Sequence, residues 1–217
     1  MKTIYCGSVN VFILSTGRSG SQTFARACAH LTNYTSAHES RSGLLGDAHL
    51  AYPDNHIESD NRLSWLLGRL DRKYGDRAFY VHLIRDVGPV AASWAKRAHT
   101  GMMNAYRYAI LWHCPKEATP YEVALDYCET VETNIRLFLR DKKNWMEFRL
   151  EEGRERFPEF WRRIGAEGDF EAALAEFDVR HNAAWDQRTD VAPGLAERVG
   201  GKVYRVVRKL PVFLRNA

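Results

Sequence analysis

The sequence has 217 residues, enough for one globular domain whose core needs neither disulfides nor a metal ion. Apolar residues make up 45% of it, and 31 basic residues exceed 27 acidic ones, so the net charge is only +4. Such a mild excess suits an anionic small ligand and gives no reason to expect a nucleic-acid partner. We therefore expect a single folded domain over residues 1–217 rather than a disordered chain.

The cysteines and the apolar runs disfavour two further classes of protein. The four cysteines are widely spaced without a Cys-x-x-Cys pair, which argues against a zinc site or a disulfide framework. No stretch approaches the roughly 20 apolar residues of a membrane helix, and the short N-terminal run lacks a signal-peptide cleavage site. We expect reduced thiols, no bound metal, no membrane span and a cytoplasmic location.

Hydrophobic periodicity predicts an alternation of strands and helices. The near-continuous apolar run from Ala78 to Ile84 is typical of a parallel strand, and the spacing of Leu63, Leu67 and Leu70 is typical of a helix. The predicted strands cover residues 11–16, 33–39, 78–84 and 145–150, and the predicted helices cover 21–31, 60–75, 88–99, 119–140, 157–164 and 170–177. This order predicts a three-layer α/β/α fold with a mainly parallel central sheet.

Residues 40–60 are predicted to form a long surface loop, because glycine, proline and asparagine interrupt any periodicity there. Loops of this length often cover active sites, so this one is the first candidate for contacts with a substrate. The last segment, residues 179–217, mixes basic and apolar residues and is assigned to no element.

A glycine-containing loop joins the first predicted strand to the first predicted helix. Backbone N–H groups of such a loop and of the first helical turn converge on one place, where the helix dipole favours negative charge. Arg18 adds a planar fork of donors, and hydroxyl groups follow it. We expect a phosphate or sulfate there, held by seven consecutive residues: Gly17, Arg18, Ser19, Gly20, Ser21, Gln22 and Thr23.

This loop differs from the ATP-binding pattern Gly-x-x-x-x-Gly-Lys-[Ser/Thr]. Gly17 and Gly20 are separated by two residues, and no lysine follows Gly20. A small ATP-dependent kinase is therefore a disfavoured alternative. Two others stay open: a non-catalytic module that holds a nucleotide, and glycines that only make a tight turn.

A second candidate anion site follows the buried strand over residues 78–84. Arg85 stands at the end of that strand and Ser93 in the second turn of the next helix. Because ligands of open parallel sheets bind outside the carboxyl ends of the strands, we expect both residues near the glycine loop. The alternative is that Arg85 pairs with Asp86 at the surface and that Ser93 has no ligand.

Together the two stretches resemble the sulfotransferases that use 3′-phosphoadenosine 5′-phosphosulfate (PAPS). The loop that starts at Gly17 and reads G-R-S-G-S is similar to the family's 5′-phosphosulfate loop. Arg85, with Ser93 eight positions later, is similar to its 3′-phosphate motif, and a weaker third block begins at Trp145. The resemblance implies a P-loop NTPase-like fold and in-line transfer of the sulfuryl group to a hydroxyl or amine. PAPS is then the donor and PAP the product, the acceptor is small or medium-sized, and no metal takes part.

The resemblance also implies roles for single residues. Arg18 stands where the family has a lysine or arginine that neutralises charge on the leaving phosphate. Gln22 stands where the family usually has a threonine and Thr23 follows it, so either side chain can serve the 5′-phosphate. The family's C-terminal Arg-Lys-Gly block is not evident. Three basic residues near the C-terminus are interpreted first as one face of a helix and otherwise as contacts of a phosphate: Arg205, Arg208 and Lys209.

The proton acceptor is expected shortly after the first helix, where the family often has a Glu or a His and this chain has His38 and Glu39. Consecutive strand side chains face opposite ways, so we expect only one of the two to enter the site. The family pattern favours Glu39 over His38 as the base. The alternative for Glu39 is a surface ion pair with Arg41.

Several other residues are weighed and given no catalytic role. His82 lies in an apolar run and is interpreted as a core histidine, and Glu151 either serves the site or caps a helix. Four aromatic residues at helical spacing are interpreted first as core residues: Trp94, Tyr106, Tyr108 and Trp112.

Overall fold

A computed structural model of the chain describes residues 9–179. Their strands are β1 (Val11–Leu14), β2 (Thr35–His38), β3 (His56–Ser59), β4 (Phe79–Ile84) and β5 (Trp145–Arg149). These form one sheet in the order β2-β3-β1-β4-β5, in which every neighbouring pair is parallel. The predicted α/β fold with a parallel central sheet is confirmed.

Helices connect the strands, as the alternating pattern predicts. Within the described residues they are α1 (Ser21–Cys28), α2 (Leu67–Tyr74), α3 (Val87–Ala95), α4 (Gly101–Ala105), α5 (Pro120–Leu139), α6 (Gly153–Ile164) and α7 (Phe170–Ala175). Helix α5 begins with a capping box, in which the Thr119 hydroxyl accepts from the Glu122 N–H at 3.2 Å and the Glu122 carboxylate accepts from the Thr119 N–H at 2.8 Å.

Two apolar layers cover the two faces of the sheet. On one face, Phe12, Leu14 and Tyr80 belong to a core that includes residues of α2, α3 and α5. On the other face, Ile13 and Val81 belong to a core that includes residues of α1, α6 and α7. Alternate strand residues thus serve opposite layers, and the predicted three-layer arrangement follows from this alternation.

The main departure from the sequence-based expectation is β3, which lies inside the predicted surface loop of residues 40–60. All four of its residues are buried, and it pairs with both β1 and β2. The prediction of an uninterrupted loop is wrong because His56 and Glu58 break the apolar run that marks a strand buried on both faces.

Two smaller expectations also need correction. The predicted helix over residues 60–75 is a 3-10 helix (Asn61–Trp65) followed by α2, although Asp60 caps it as the prediction requires. Tyr108 and Trp112 are 54% and 57% exposed and are not core residues. The segment after α4 is π-helical (Tyr106–Ile110), so the α-helical spacing behind that interpretation does not hold there.

Some expectations concern parts of the chain outside the described residues. These are the extension of the domain to residue 217 and the basic residues Arg205, Arg208 and Lys209. Within residues 9–179, no helix combines the length and the apolar character that crossing a membrane requires.

Candidate functional site

The glycine loop turns at the carboxyl end of β1 with an unusual backbone. Gly17, Arg18 and Gly20 have φ values of 75°, 59° and 90°, all in the left-handed region. A Cβ atom on Gly17 would also lie 2.9 Å from the ring of Trp94, so this position needs glycine for its conformation and for close packing. Arg18 lacks that freedom, and strain of this kind is concentrated at functional sites.

Side-chain donors from three elements hold the carbonyl groups of this loop in place. The Thr16 carbonyl accepts from the Trp94 indole at 3.2 Å and from the Tyr127 hydroxyl at 2.9 Å. The Ser21 carbonyl accepts from the Ser59 hydroxyl at 3.0 Å. Because these donors come from α3, α5 and β3, three elements fix one backbone conformation, and Trp94 has a role that the sequence did not assign.

The start of α1 offers groups that suit an anion. Its N-cap residue is Gly20, which provides no side-chain hydrogen bond to the first turn, so the positive end of the helix dipole has no side-chain cap. The Ser19 side chain is only 1% exposed, and its hydroxyl oxygen has no hydrogen-bond partner within the described part of the chain. Buried polar atoms are rarely left unpaired, and an anion bound at the start of α1 would give this hydroxyl an acceptor.

The two stretches predicted to bind anions meet in the structure. Arg18 Nε donates to Ser93 Oγ at 2.9 Å across 75 positions of sequence, and Arg85 Nη1 donates to the Arg18 carbonyl at 3.4 Å. Arg97 donates to the Ser93 carbonyl at 3.1 Å and adds a cation that sequence reasoning missed. Its spacing of one helical turn after Ser93 was the available signal. Both predicted anion sites therefore lie at the same edge of the sheet.

Arg85 does not have the surface partner considered for it. Its Nε lies 3.8 Å from the Glu151 carboxylate, which also accepts from the Asp86 N–H at 3.1 Å. Glu151 thus contacts the turn between β4 and α3. A cleft of about 220 Å³ opens beside Arg85, and its lining includes Arg136 and Arg149. The same lining includes two carboxylates, so the cleft presents charges of both signs.

His82 lies near this cleft and agrees with its interpretation as a core histidine. It is 1% exposed, and its Nε2 lies 2.8 Å from a carboxylate oxygen of Glu132, which lines the cleft. No catalytic role is assigned to it.

The two candidate bases have different partners. His38 Nε2 lies 3.0 Å from the hydroxyl oxygen of Ser21, so the histidine contacts the glycine loop directly. The Glu39 carboxylate forms an ion pair with Arg62 at 2.9 Å rather than the considered pair with Arg41. Glu39 also has a left-handed backbone, with φ of 54°. Both residues stand where β2 ends, but only His38 has a hydrogen-bond partner within the glycine loop.

Two buried carboxyl groups that sequence reasoning missed lie behind these candidates. Glu58 and Asp60 are both 0% exposed. Burial opposes ionisation of Glu58, but hydrogen bonds from His56 and Ser40 outweigh it and hold the pKa of this carboxyl below its ordinary value. Burial raises the pKa of Asp60, and the donors of Arg62 offset only part of that effect.

The described side chains form no cluster of metal ligands. Across residues 9–179, no three His, Cys, Asp or Glu side chains are grouped so as to hold a metal ion.

Comparisons with known proteins test the fold. No protein-family model matches the chain, and no curated protein matches its sequence. One similar solved structure is a sulfotransferase domain from the curacin biosynthetic pathway, with a TM-score of 0.58 and 16% identity over 80% of this chain and 79% of that one. Another is a sulfotransferase domain from the Synechococcus PCC 7002 olefin synthase, with a TM-score of 0.57 and 16% identity over 97% and 99% of the two chains. The chain therefore has the P-loop NTPase-like fold of the sulfotransferase domains.

Proposed function

We propose that the protein is a sulfotransferase that moves the sulfuryl group of PAPS to a hydroxyl or amine of a small or medium-sized acceptor. The observation that carries the proposal is the hydrogen bond from Arg18 to Ser93, 2.9 Å long, which joins the glycine loop to the helix that follows Arg85. A donor with separate 5′ and 3′ phosphate groups needs two anion sites at one edge of the sheet. The fold of the two similar structures supports the same reaction class.

The residues present fit such a donor. The buried hydroxyl of Ser19 lacks a partner in the described structure, and α1 has no side-chain cap. In this proposal, residues 17–23 hold the 5′ end of PAPS, with Gln22 or Thr23 at the 5′-phosphate. Arg85 and Ser93 hold the 3′-phosphate.

The chemistry needs charge neutralisation and alignment. PAPS supplies a sulfuryl group bonded to the 5′-phosphate, and PAP leaves with the electron pair of that S–O bond. Arg18 and the backbone N–H groups of the loop stabilise the charge that develops on the leaving phosphate. One well-placed donor of this kind typically contributes roughly 10²–10³ in rate. The fixed loop also keeps the donor in line with the acceptor.

The acceptor proton must go to a base as the new O–S or N–S bond forms. We propose Glu39 for this role, with His38 as the second candidate because it contacts Ser21 of the glycine loop. General-base catalysis typically raises the reaction rate by a factor of roughly 10²–10⁴. Glu39→Gln and His38→Asn variants separate the two residues, since replacing the base lowers turnover while the affinity for PAP stays unchanged.

Ligand-induced stabilisation tests the proposal directly. We expect PAP to raise the melting temperature of the full-length chain more than ADP or Mg-ATP does, because only PAP occupies both anion sites. Preference for Mg-ATP would favour the ATP-dependent kinase, and no effect of any nucleotide would refute the proposal.

A transfer assay separates an enzyme from a binding module. ³⁵S-labelled PAPS is incubated with a panel of alcohols, phenols, amines and sugars, and label in a new product identifies a sulfotransferase. PAP binding without any release of PAP from PAPS, in the panel or in water, would instead favour the non-catalytic module.

A cytoplasmic location belongs to the same proposal and is supported by the free thiols of Cys28, Cys114 and Cys128.

A further inference from the structure

Strand β3 places two buried carboxyl groups next to the segment that carries the proposed base. Glu58 lies within β3 and Asp60 directly follows it, and both are fully buried. A buried carboxylate is costly unless donors surround it. Each of the two carboxyl groups binds a residue that is itself bonded to Glu39 or contacts its side chain.

Glu58 binds the residue that follows Glu39. One carboxylate oxygen of Glu58 accepts from the Ser40 N–H at 2.9 Å. The other accepts from the Ser40 hydroxyl at 2.5 Å and lies 3.1 Å from His56 Nε2. Ser40 thus donates two hydrogen bonds to one carboxylate, and these fix its backbone and its side chain.

Asp60 binds the residue that pairs with the Glu39 side chain. Its Oδ1 accepts from the Arg62 N–H at 2.8 Å and from the Arg62 guanidinium at 3.4 Å. The same Nη1 of Arg62 lies 2.9 Å from the Glu39 carboxylate. Glu39 is thus held through its backbone neighbour by Glu58 and through its side chain by Arg62.

The backbone of Glu39 has a strained conformation that the contacts of its neighbours hold in place. A non-glycine residue in the left-handed region carries strain of about 1 kcal/mol or more, and it keeps that conformation only when its surroundings fix it. The Glu39 N–H donates to the Ser59 carbonyl at 3.2 Å, and the Ser42 hydroxyl donates to the Glu39 carbonyl at 3.1 Å. The bonds from Ser40 to Glu58 complete this set on the β3 side.

We propose that Glu58 is a positioning residue for proton transfer, which acts by fixing Ser40 and, through it, the conformation of Glu39. The inference rests on the proposed function, because it assumes that Glu39 takes the acceptor proton. Glu58 itself touches neither donor nor acceptor in this account. Its effect is on turnover, since misplacing a reacting group by about 1 Å can cost roughly a hundredfold in rate.

The test compares Glu58→Gln with the wild type in the full-length chain. The readouts are release of PAP from PAPS, with water and with the best acceptor of the panel, and the affinity for PAP. We expect kcat to fall roughly tenfold to a hundredfold while the affinity for PAP and the KM for PAPS stay unchanged. Thr35→Val is the matched control, because it removes a 2.8 Å hydrogen bond to the other nitrogen of His56 and should leave kcat unchanged.

A double-mutant cycle shows whether Glu58 acts through Glu39. In a Glu39→Gln background, Glu58→Gln should change kcat by less than about twofold, because the group that it positions is already gone. Equal effects in both backgrounds, or an unchanged kcat in Glu58→Gln alone, would overturn the inference.

Two further outcomes keep the inference distinct from the proposed function. If Glu58→Gln does not fold, Ser40→Ala removes one of the two bonds at an exposed residue and should lower kcat by a few fold at unchanged PAP affinity. A wild-type chain that releases no PAP from PAPS overturns the function and the inference together. An active wild type with a fully active Ser40→Ala variant overturns the inference alone.

Discussion

Arg18 and Glu39 are non-glycine residues with left-handed backbones, and both stand at the carboxyl edge of the sheet. Each is held by residues distant in sequence, Arg18 by Ser93 and Glu39 by Arg62. Backbone strain that is fixed by such contacts is common at functional sites. At the scale of single residues, the site is recognised by strain and by buried polar groups together.

Asp60 should oppose stability at neutral pH. Its raised pKa means that the folded chain binds this proton more tightly than the unfolded chain, in which the carboxyl titrates near its ordinary pKa. The contribution of Asp60 to the free energy of unfolding therefore becomes less favourable as the pH rises from its pKa in the unfolded chain through its raised pKa in the folded chain. An asparagine resembles the neutral carboxyl, so Asp60→Asn should gain stability relative to the wild type over that interval. Urea denaturation across a series of pH values measures the difference.

Glu58 provides a control of opposite sign for that measurement. Because its pKa is lowered in the folded chain, Glu58 contributes stability at any pH above its pKa in the unfolded chain. That stability is lost as the pH falls through its pKa in the folded chain. Glu58→Gln should therefore be most destabilised at neutral pH and least in acid. If the difference in free energy of unfolding between variant and wild type changed with pH in the same direction for both variants, the opposite pKa shifts of Asp60 and Glu58 would be contradicted.

At the scale of elements, the apolar strands β1 and β4, the glycine loop and the capped helix α5 were predictable, because each has a local pattern. Strand β3 was not, since His56 and Glu58 replace the apolar residues expected in a central strand. Arg62 and Arg97 were missed for another reason. Their roles depend on contacts with Glu39 and Ser93, and only folding brings such partners together.

Helix α5 should support the glycine loop through Tyr127. This tyrosine is fully buried, and its hydroxyl donates to the Thr16 carbonyl at 2.9 Å. We expect Tyr127→Phe to lower the free energy of unfolding by about 1 kcal/mol and to weaken PAP binding, because one of the two side-chain donors to that carbonyl is lost. Tyr121→Phe, at an exposed tyrosine of the same helix, is the control. Equal PAP affinity in both variants would show that the loop does not need this support.

At the scale of the whole molecule, the strand order places the glycine loop after β1 beside the turn after β4. Strands β3 and β2 lie on the other side of β1, so β2 brings the candidate bases to the opposite flank of the loop. The proposed 3′-phosphate site and the candidate bases therefore lie on opposite sides of one loop. This arrangement suits a donor bound on one flank and an acceptor on the other, as the ligands of open parallel sheets bind along this edge.

Arg85 lies on the β4 side of the glycine loop, so its replacement should affect binding of the 3′-phosphate more than binding of the 5′-phosphate. If Arg85 holds the 3′-phosphate, Arg85→Ala should weaken PAP binding strongly and 5′-AMP binding little, because 5′-AMP lacks that phosphate. Losing a charge-assisted hydrogen bond typically costs about 1.5–3 kcal/mol, or roughly tenfold to a hundredfold in affinity. Isothermal titration of both nucleotides into Arg85→Ala and into Arg72→Ala, at an exposed arginine of α2, measures the difference. Equal losses for PAP and 5′-AMP would place Arg85 at the 5′ side of the donor, and no loss would remove it from the site.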